Sequence, residues 1–294
     1  MTIKKRKIFD GLMYALMAMT LGMVIAILGF ILIYIFKSSS GYLNLSLFKN
    51  TESGILPMIV TTVYVVLVSL AIALPVGIAT AIFLNEYSGQ VEVGKRGGFA
   101  VPLLEKLYRT LRLAIETLAG IPSIIYGLFG LLVFCRLMSF GQSIIAGALT
   151  LSIMILPVII RATEESLKSI PDSFREGSLS LGATKLQTIF FVVLPSALPG
   201  IVTAVILAIG RVVGESASVL LTVGLTRNMP RTIFESGRTL SIHLYYLTQE
   251  AVRPEDFGIA FATAAVLIML VVVINTTTKI ITNKFSVCRQ SRLL

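Results

Sequence analysis

Arg211 and Glu215 stand four residues apart in an otherwise apolar stretch, and an arginine there offers a planar fork of donors suited to an anion. Ala204, Ala208, Arg211, Glu215 and Ser218 recur at steps of four, three, four and three, a spacing expected to share one helix face. Val205, Ile209, Val212, Val213 and Val219 surround that small, polar stripe with apolar surface, as expected if the stripe faces a protein interior or an aqueous path. A charge within a membrane span costs about 2.5–3.5 kcal/mol on insertion scales, and an exposed pair four residues apart returns only about 0.2–0.5 kcal/mol. Mutual pairing alone therefore does not account for them. Two readings stay open. In one, the pair bridges to another helix and fixes packing. In the other, Arg211 meets a tetrahedral oxyanion, and Glu215 neutralises it in the empty state or accepts a hydrogen bond from a protonated phosphate oxygen. Sulfate carries no such proton at neutral pH.

Arg161 falls at the expected inner end of an apolar run, where it anchors the helix at the interface or lines an exit path. Glu116 has a similar boundary position and receives no substrate role. Pro75, Gly77, Pro122, Gly127 and Pro157 lie within apolar runs, where they kink helices, serve packing or free backbone groups. Gly120 to Ser123 could present such groups to a solute path.

Other chemistries find no support. A phosphate-binding loop of the form Gly-x-x-x-x-Gly-Lys-Ser/Thr is missing, and Gly94-Lys95-Arg96-Gly97-Gly98 lacks its spacing. Cys135 and Cys288 fall in unrelated segments, and His243, the single histidine, has no recognisable metal partners. No metal site and no catalytic residue are assigned.

These residues need elements to hold them. With 55% hydrophobic and 14% charged residues among 294, the chain lacks the polar surface of a soluble domain of this size. Six stretches approach the length needed to cross a bilayer: Ile8–Phe36, Ile55–Leu84, Leu113–Cys135, Ser143–Ile160, Leu198–Leu221 and Phe257–Ile281. The formal charge of +10 is spread between these runs, which fits membrane topology and not nucleic-acid binding. Lys4 to Lys7 and the basic residues within 95–112, 161–185 and 279–292 outnumber those on the other side, so both termini are expected in the cytoplasm. The first run follows Lys4, Lys5, Arg6 and Lys7 but is too long for a signal peptide, and it is expected to be a retained anchor. The expected fold is an all-α integral membrane protein. Residues 1–54 hold the basic start, first span and outer loop, 55–282 the permease-like domain, and 283–294 a basic tail.

The inner loop 161–197 carries a further pattern. Pro171 with Asp172 or Ser173 signals a helix start, and two short helices are expected around a turn at Gly182-Ala183-Thr184. Glu176-Gly177-Ser178, then Gly182, then Val192, Leu194 and Pro195 resembles the Glu-Ala-Ala loop of binding-protein-dependent ABC importer permeases. Small side chains are kept at Gly177 and Ser178 where the family has two alanines. The resemblance implies a cytoplasmic coupling helix that docks into a partner ATPase. Leu118 to Gly130, Leu156 to Glu165 and Gly210 to Ala217 resemble the phosphate-specific branch. The Arg-x-Thr-Glu-Glu run from Arg161 and Phe83-Leu84-Asn85-Glu86-Tyr87 are closer to its PstA-type than to its PstC-type permeases.

That resemblance implies inorganic phosphate as cargo, PstC as the paired permease, two PstB ATPase subunits below and an external phosphate-binding protein, PstS. No cofactor is expected on this chain, ATP and magnesium belonging to the ATPase. Paralogous permeases and importers of another oxyanion share much of this pattern. An ion-coupled secondary transporter or channel would also place charges in spans.

Overall fold

The structure, a computed structural model, describes residues 3–49, 54–87, 100–252 and 254–290. The Gly94 to Gly98 run and Arg253 lie outside the described residues. Among the described residues, besides a short 3-10 turn at Leu45–Phe48, ten helices follow in chain order: α1 (Ile3–Ser39), α2 (Leu56–Tyr87), α3 (Ala100–Gly120), α4 (Ser123–Leu137), α5 (Ile144–Lys168), α6 (Asp172–Ser180), α7 (Lys185–Gly214), α8 (Ala217–Thr222), α9 (Leu240–Glu250) and α10 (Pro254–Gln290).

The centre is α5, which packs against α2 on one side and α7 on the other. Its apolar periodicity buries Leu151, Met154, Ile155 and Ile159 completely or nearly so, against Val65, Val66 and Ala73 of α2 and Ile209 and Val213 of α7. Thr62, Thr150 and Ser152 satisfy their hydroxyls along the helices, whereas the buried Ser69 hydroxyl has no protein partner. The Ser152 hydroxyl lies within hydrogen-bonding distance of Ala148 O (2.6 Å) and Ser69 O (3.1 Å), the second contact reaching α2. Pro75 and Pro157 sit inside α2 and α5 without ending them.

By contrast, α1 is apolar on all sides, largely exposed, and packs on α10, with Tyr34 edge-on to Phe261 at 5.4 Å. A helix that is hydrophobic all round belongs in lipid or against another membrane protein.

Among the described residues, five helices are long and apolar enough to span a membrane, and α3 and α4 taken together would make a sixth crossing. The third expected span, Leu113–Cys135, is broken where Pro122 stands, and α3 and α4 are bent by 106° relative to each other. Pro122 causes the break, since it has no N–H to continue the ladder and its extended backbone (φ −59°, ψ 141°) starts a new helix. The carbonyl freed at Leu118 accepts the Tyr126 hydroxyl at 2.6 Å.

The expected fourth and fifth spans also change. Helix α5 runs on past Ile160 to Lys168, so part of the expected loop 161–197 is helical continuation. Helix α7 already begins at Lys185 and ends at Gly214, and residues 217–222 form the separate α8.

Candidate translocation site and coupling segment

The single polar face expected from Ala204 to Ser218 does not form. Glu215 ends α7 in an extended conformation (ψ 130°), so Glu215 and Ser218 leave the helix that carries Ala204, Ala208 and Arg211. Steps of three and four residues cannot reveal a helix break. Ala204 and Ala208 are fully buried, Ser218 is fully buried, and Arg211 is exposed.

The break satisfies its own backbone. Glu215 Oε1 accepts the Ser218 N–H at 3.2 Å, capping α8, and the Ser241 hydroxyl donates to Glu215 O at 2.7 Å. Among the described residues Glu215 forms no ion pair with Arg211; its carboxylate is turned to the cap. Arg211 lies instead within electrostatic reach of Tyr126 on α4.

Two interrupted helices thus meet beside Arg211. Helix α4 starts after Pro122 and α8 after Ser216, and the two pack face to face. Gly127 makes this approach attainable: a Cβ there would stand 2.8 Å from Ser218 Cα and 3.0 Å from Leu221 Cδ1. A cavity of about 230 Å³ opens beside the contact, lined by Ile124, Ser216, Ala217, Leu220, Ile242 and Tyr245. Irregular backbone at membrane depth survives only where protein or a water-filled path satisfies it, as here.

Next to this break lies a basic cluster. Arg238 donates from Nε to Leu225 O at 3.2 Å and stacks its guanidinium 4.7 Å from the Tyr246 ring centroid. His243 is buried behind it with Nδ1 unpartnered by protein. Burial, with Arg227 and Arg238 nearby, pushes His243 down to about 4, so the ring is neutral at physiological pH. His243 is thus a packed residue.

Arg161 sits at the other end of α5, on a cavity of about 270 Å³ shared with Arg112, Glu116, Glu164, Glu165 and Lys168. Lys168 Nζ binds Glu164 Oε1 at 2.6 Å, and Arg112 approaches the same oxygen at 3.7 Å. Arg161 and Arg211 therefore lie at different ends of the bundle.

The segment that resembles the Glu-Ala-Ala loop is built as two helices around a turn, as expected, except that the second continues into α7. Gly182 adopts φ +87°, a conformation that favours glycine, and Thr184 with Gln187 closes a capping box on α7. The Thr184-x-x-Gln187 spacing was readable in the sequence. Glu176, Gly177 and Gly182 are exposed, while Ser178, Val192, Leu194 and Pro195 are half-buried. The Ser178 and Thr188 hydroxyls, 3.0 Å apart, tie α6 to α7. Phe174 and Leu181 are exposed, and with Ser173, Gly177, Ser178 and Val192 they line a shallow depression of about 460 Å³.

The chain is thus an all-helical membrane bundle with interrupted helices and an exposed short helix, α6. The chain belongs to the family of binding-protein-dependent transport system inner membrane components, whose profile matches residues 98–287. It is accordingly a multi-pass inner-membrane ABC importer permease, with an ATPase and a binding protein as partners; the secondary-transporter reading falls away. It is 32% identical over 289 residues to the probable ABC transporter permease protein YqgI of Bacillus subtilis, covering 92% of this chain and 94% of that protein. It is 36% identical over 228 residues to the phosphate transport system permease protein PstA 1 of Mycobacterium tuberculosis, covering 77% and 68%. In fold it is similar to a chain of the bacterial alginate ABC transporter (TM-score 0.66, 16% identity, 97% and 98% covered). It is also similar to a chain of the MetNI methionine ABC transporter (TM-score 0.57, 24% identity, 79% and 94% covered).

Proposed function

We propose that this chain is the PstA-type permease of a phosphate importer. The observation that carries the reading is Arg211: an exposed guanidinium with no ion pair among the described residues, at the end of α7 and beside the interrupted helices α4 and α8. A planar fork of donors in that position suits a tetrahedral oxyanion. The phosphate permeases among its relatives support phosphate as that oxyanion.

The paired permease would be PstC, with two PstB subunits carrying ATP and magnesium beneath α6, and PstS delivering phosphate at the opposite face. Both termini would lie in the cytoplasm, on the α6 side. ATP-driven closure of the PstB pair would move α6 and switch the path between inward-facing and outward-facing. Phosphate would meet Arg211 during passage, with Arg161 at the exit.

Uptake of labelled phosphate into proteoliposomes holding all four components, with sulfate as competitor, tests this. ATP-dependent phosphate uptake that resists sulfate is expected, and Arg211→Lys should reduce it at least tenfold with assembly intact, because an ammonium cannot reproduce the fork. Wild-type uptake by the lysine variant would remove Arg211 from the path, and no uptake by the wild-type assembly would remove phosphate.

A further inference from the structure

Helix α6 has an unusual attachment. It buries none of its own residues, and its large apolar side chains Phe174 and Leu179 are about half exposed. Hydrophobic burial therefore contributes little to its attachment. Besides the Ser178–Thr188 hydroxyl contact, Arg175 holds it, with all five N–H donors engaged. Nε and Nη2 grip the Glu86 carboxylate, with Nη2 2.9 Å from Oε1 and Nε 3.2 and 3.4 Å from the two oxygens. Nη2 also donates to Leu167 O and Nη1 to Ile170 O, each at 2.9 Å, at the end of α5. The remaining contact, to Asp172 Oδ1 at 3.1 Å, stays within α6.

Glu86 belongs to the Phe83–Tyr87 turn that closes α2. Its side chain is 8% exposed, that of Arg175 17%, so the pair is shielded from solvent, where charge-assisted contacts are strongest. Asn85 Nδ2 donates to Glu86 Oε1 at 2.9 Å and holds the carboxylate in place. Lys185, the first residue of α7, donates from Nζ to Glu86 O at 2.7 Å and rests 4.4 Å above the Tyr87 ring. One short turn of α2 thus receives both sides of the coupling segment, α6 through Arg175 and the base of α7 through Lys185.

We propose that Glu86 is a positioning residue for transport: with Arg175 and Lys185 it fastens α6 to the ends of α2 and α5, so that a push on α6 moves all three as one rigid body. The ATPase stroke then enters the bundle through its packed centre, α2 and α5, as well as along α7. Solvated contacts alone would let α6 slide over the bundle and dissipate the stroke. The proposal rests on the reading of α6 as the ATPase-facing segment, and it is independent of which solute is carried.

The test is a distance measurement on the full complex. With the native cysteines replaced by serine, spin labels go on Ala79 of α2 and Ser180 of α6, and distances are read by pulsed electron paramagnetic resonance without nucleotide and after vanadate trapping with ATP. One narrow distance, equal in both states, is expected for the otherwise wild-type chain. Glu86→Gln should broaden it or shift it between states, Glu86→Asp should restore it in part, and phosphate moved per ATP should fall at least fivefold in the Gln variant while hydrolysis continues. A distance that already changes in the wild-type background overturns the proposal, as does a Gln variant with a narrow, unchanged distance. The mobility of the label at 180 upon adding the ATPase tests the underlying reading separately: a label that stays mobile sinks it. Absent phosphate uptake would count against the cargo alone, because the distances need no solute.

Discussion

Gly127 and Ser218 bring α4 and α8 together so closely that a methyl group on Gly127 would stand 2.8 Å from the Ser218 Cα. Backbone cannot retreat as a flexible side-chain end can, so the two short helices must separate if that methyl is added. Gly127→Ala is expected to destabilise the chain by about 1–3 kcal/mol, the usual cost of overpacking. Gly22→Ala, on α1, meets nothing within 4 Å and should leave stability unchanged or slightly raised. Thermal melts in detergent followed by circular dichroism compare the two, and equal melts would place the α4–α8 contact elsewhere.

Glu215 has a local task that can be separated from its charge. Its Oε1 caps α8 through the Ser218 N–H. Glu215→Ala removes the cap and should cost about 1 kcal/mol, whereas Glu215→Gln keeps an acceptor oxygen and should melt close to wild type. If the carboxylate also selects for a protonated oxyanion, the Gln variant will lose preference for phosphate over sulfate in the uptake assay. Unchanged preference confines Glu215 to the cap.

His243 makes stability depend on pH in a defined window. Its folded value, about 4, lies below the ordinary 6.5. The unfolded chain therefore binds a proton that the folded chain refuses, and stability falls as pH drops from about 6.5 toward 4. Near pH 4 the loss approaches about 3 kcal/mol at most. Urea titrations of wild type and His243→Gln should have the same slope with pH above 7 and diverge below 6.5, with the variant losing less. Parallel curves throughout would show that His243 takes up its proton in the folded chain.

The long apolar runs were legible because twenty residues of low polarity can cross a membrane in few other ways, and the coupling turn was legible from Gly182 and its neighbours. The break at Pro122 had a signal in the proline itself, yet hydropathy carried the run across it as one span. The break at Glu215 had none, since Arg211, Glu215 and Ser218 keep helical spacing whether or not the helix continues. Arg175 and Glu86 lie in different inner segments, 89 positions apart in sequence. Their partnership is a product of tertiary packing, and only the short run Phe83 to Tyr87 hinted that the end of α2 mattered. Arg238 and His243 looked like outer-loop residues because nothing local showed that α9 would be buried against α2 and α10.

The length of α7 has a mechanical meaning. It carries Lys185 at the coupling turn and Arg211 near its other end, which at about 1.5 Å per residue are some 39 Å apart. A bar of that length pivoting by about 5° at its base sweeps its tip through roughly 3 Å. That is the difference between a guanidinium in hydrogen-bonding range of an oxyanion and one out of range. Pro195 and Pro199 lie near the middle of the bar, where a bend carries the half that holds Arg211. If Arg211 meets the oxyanion as proposed, a modest tilt at the Gly182 turn would be amplified into grip or release there, without any rearrangement of the site's own side chains.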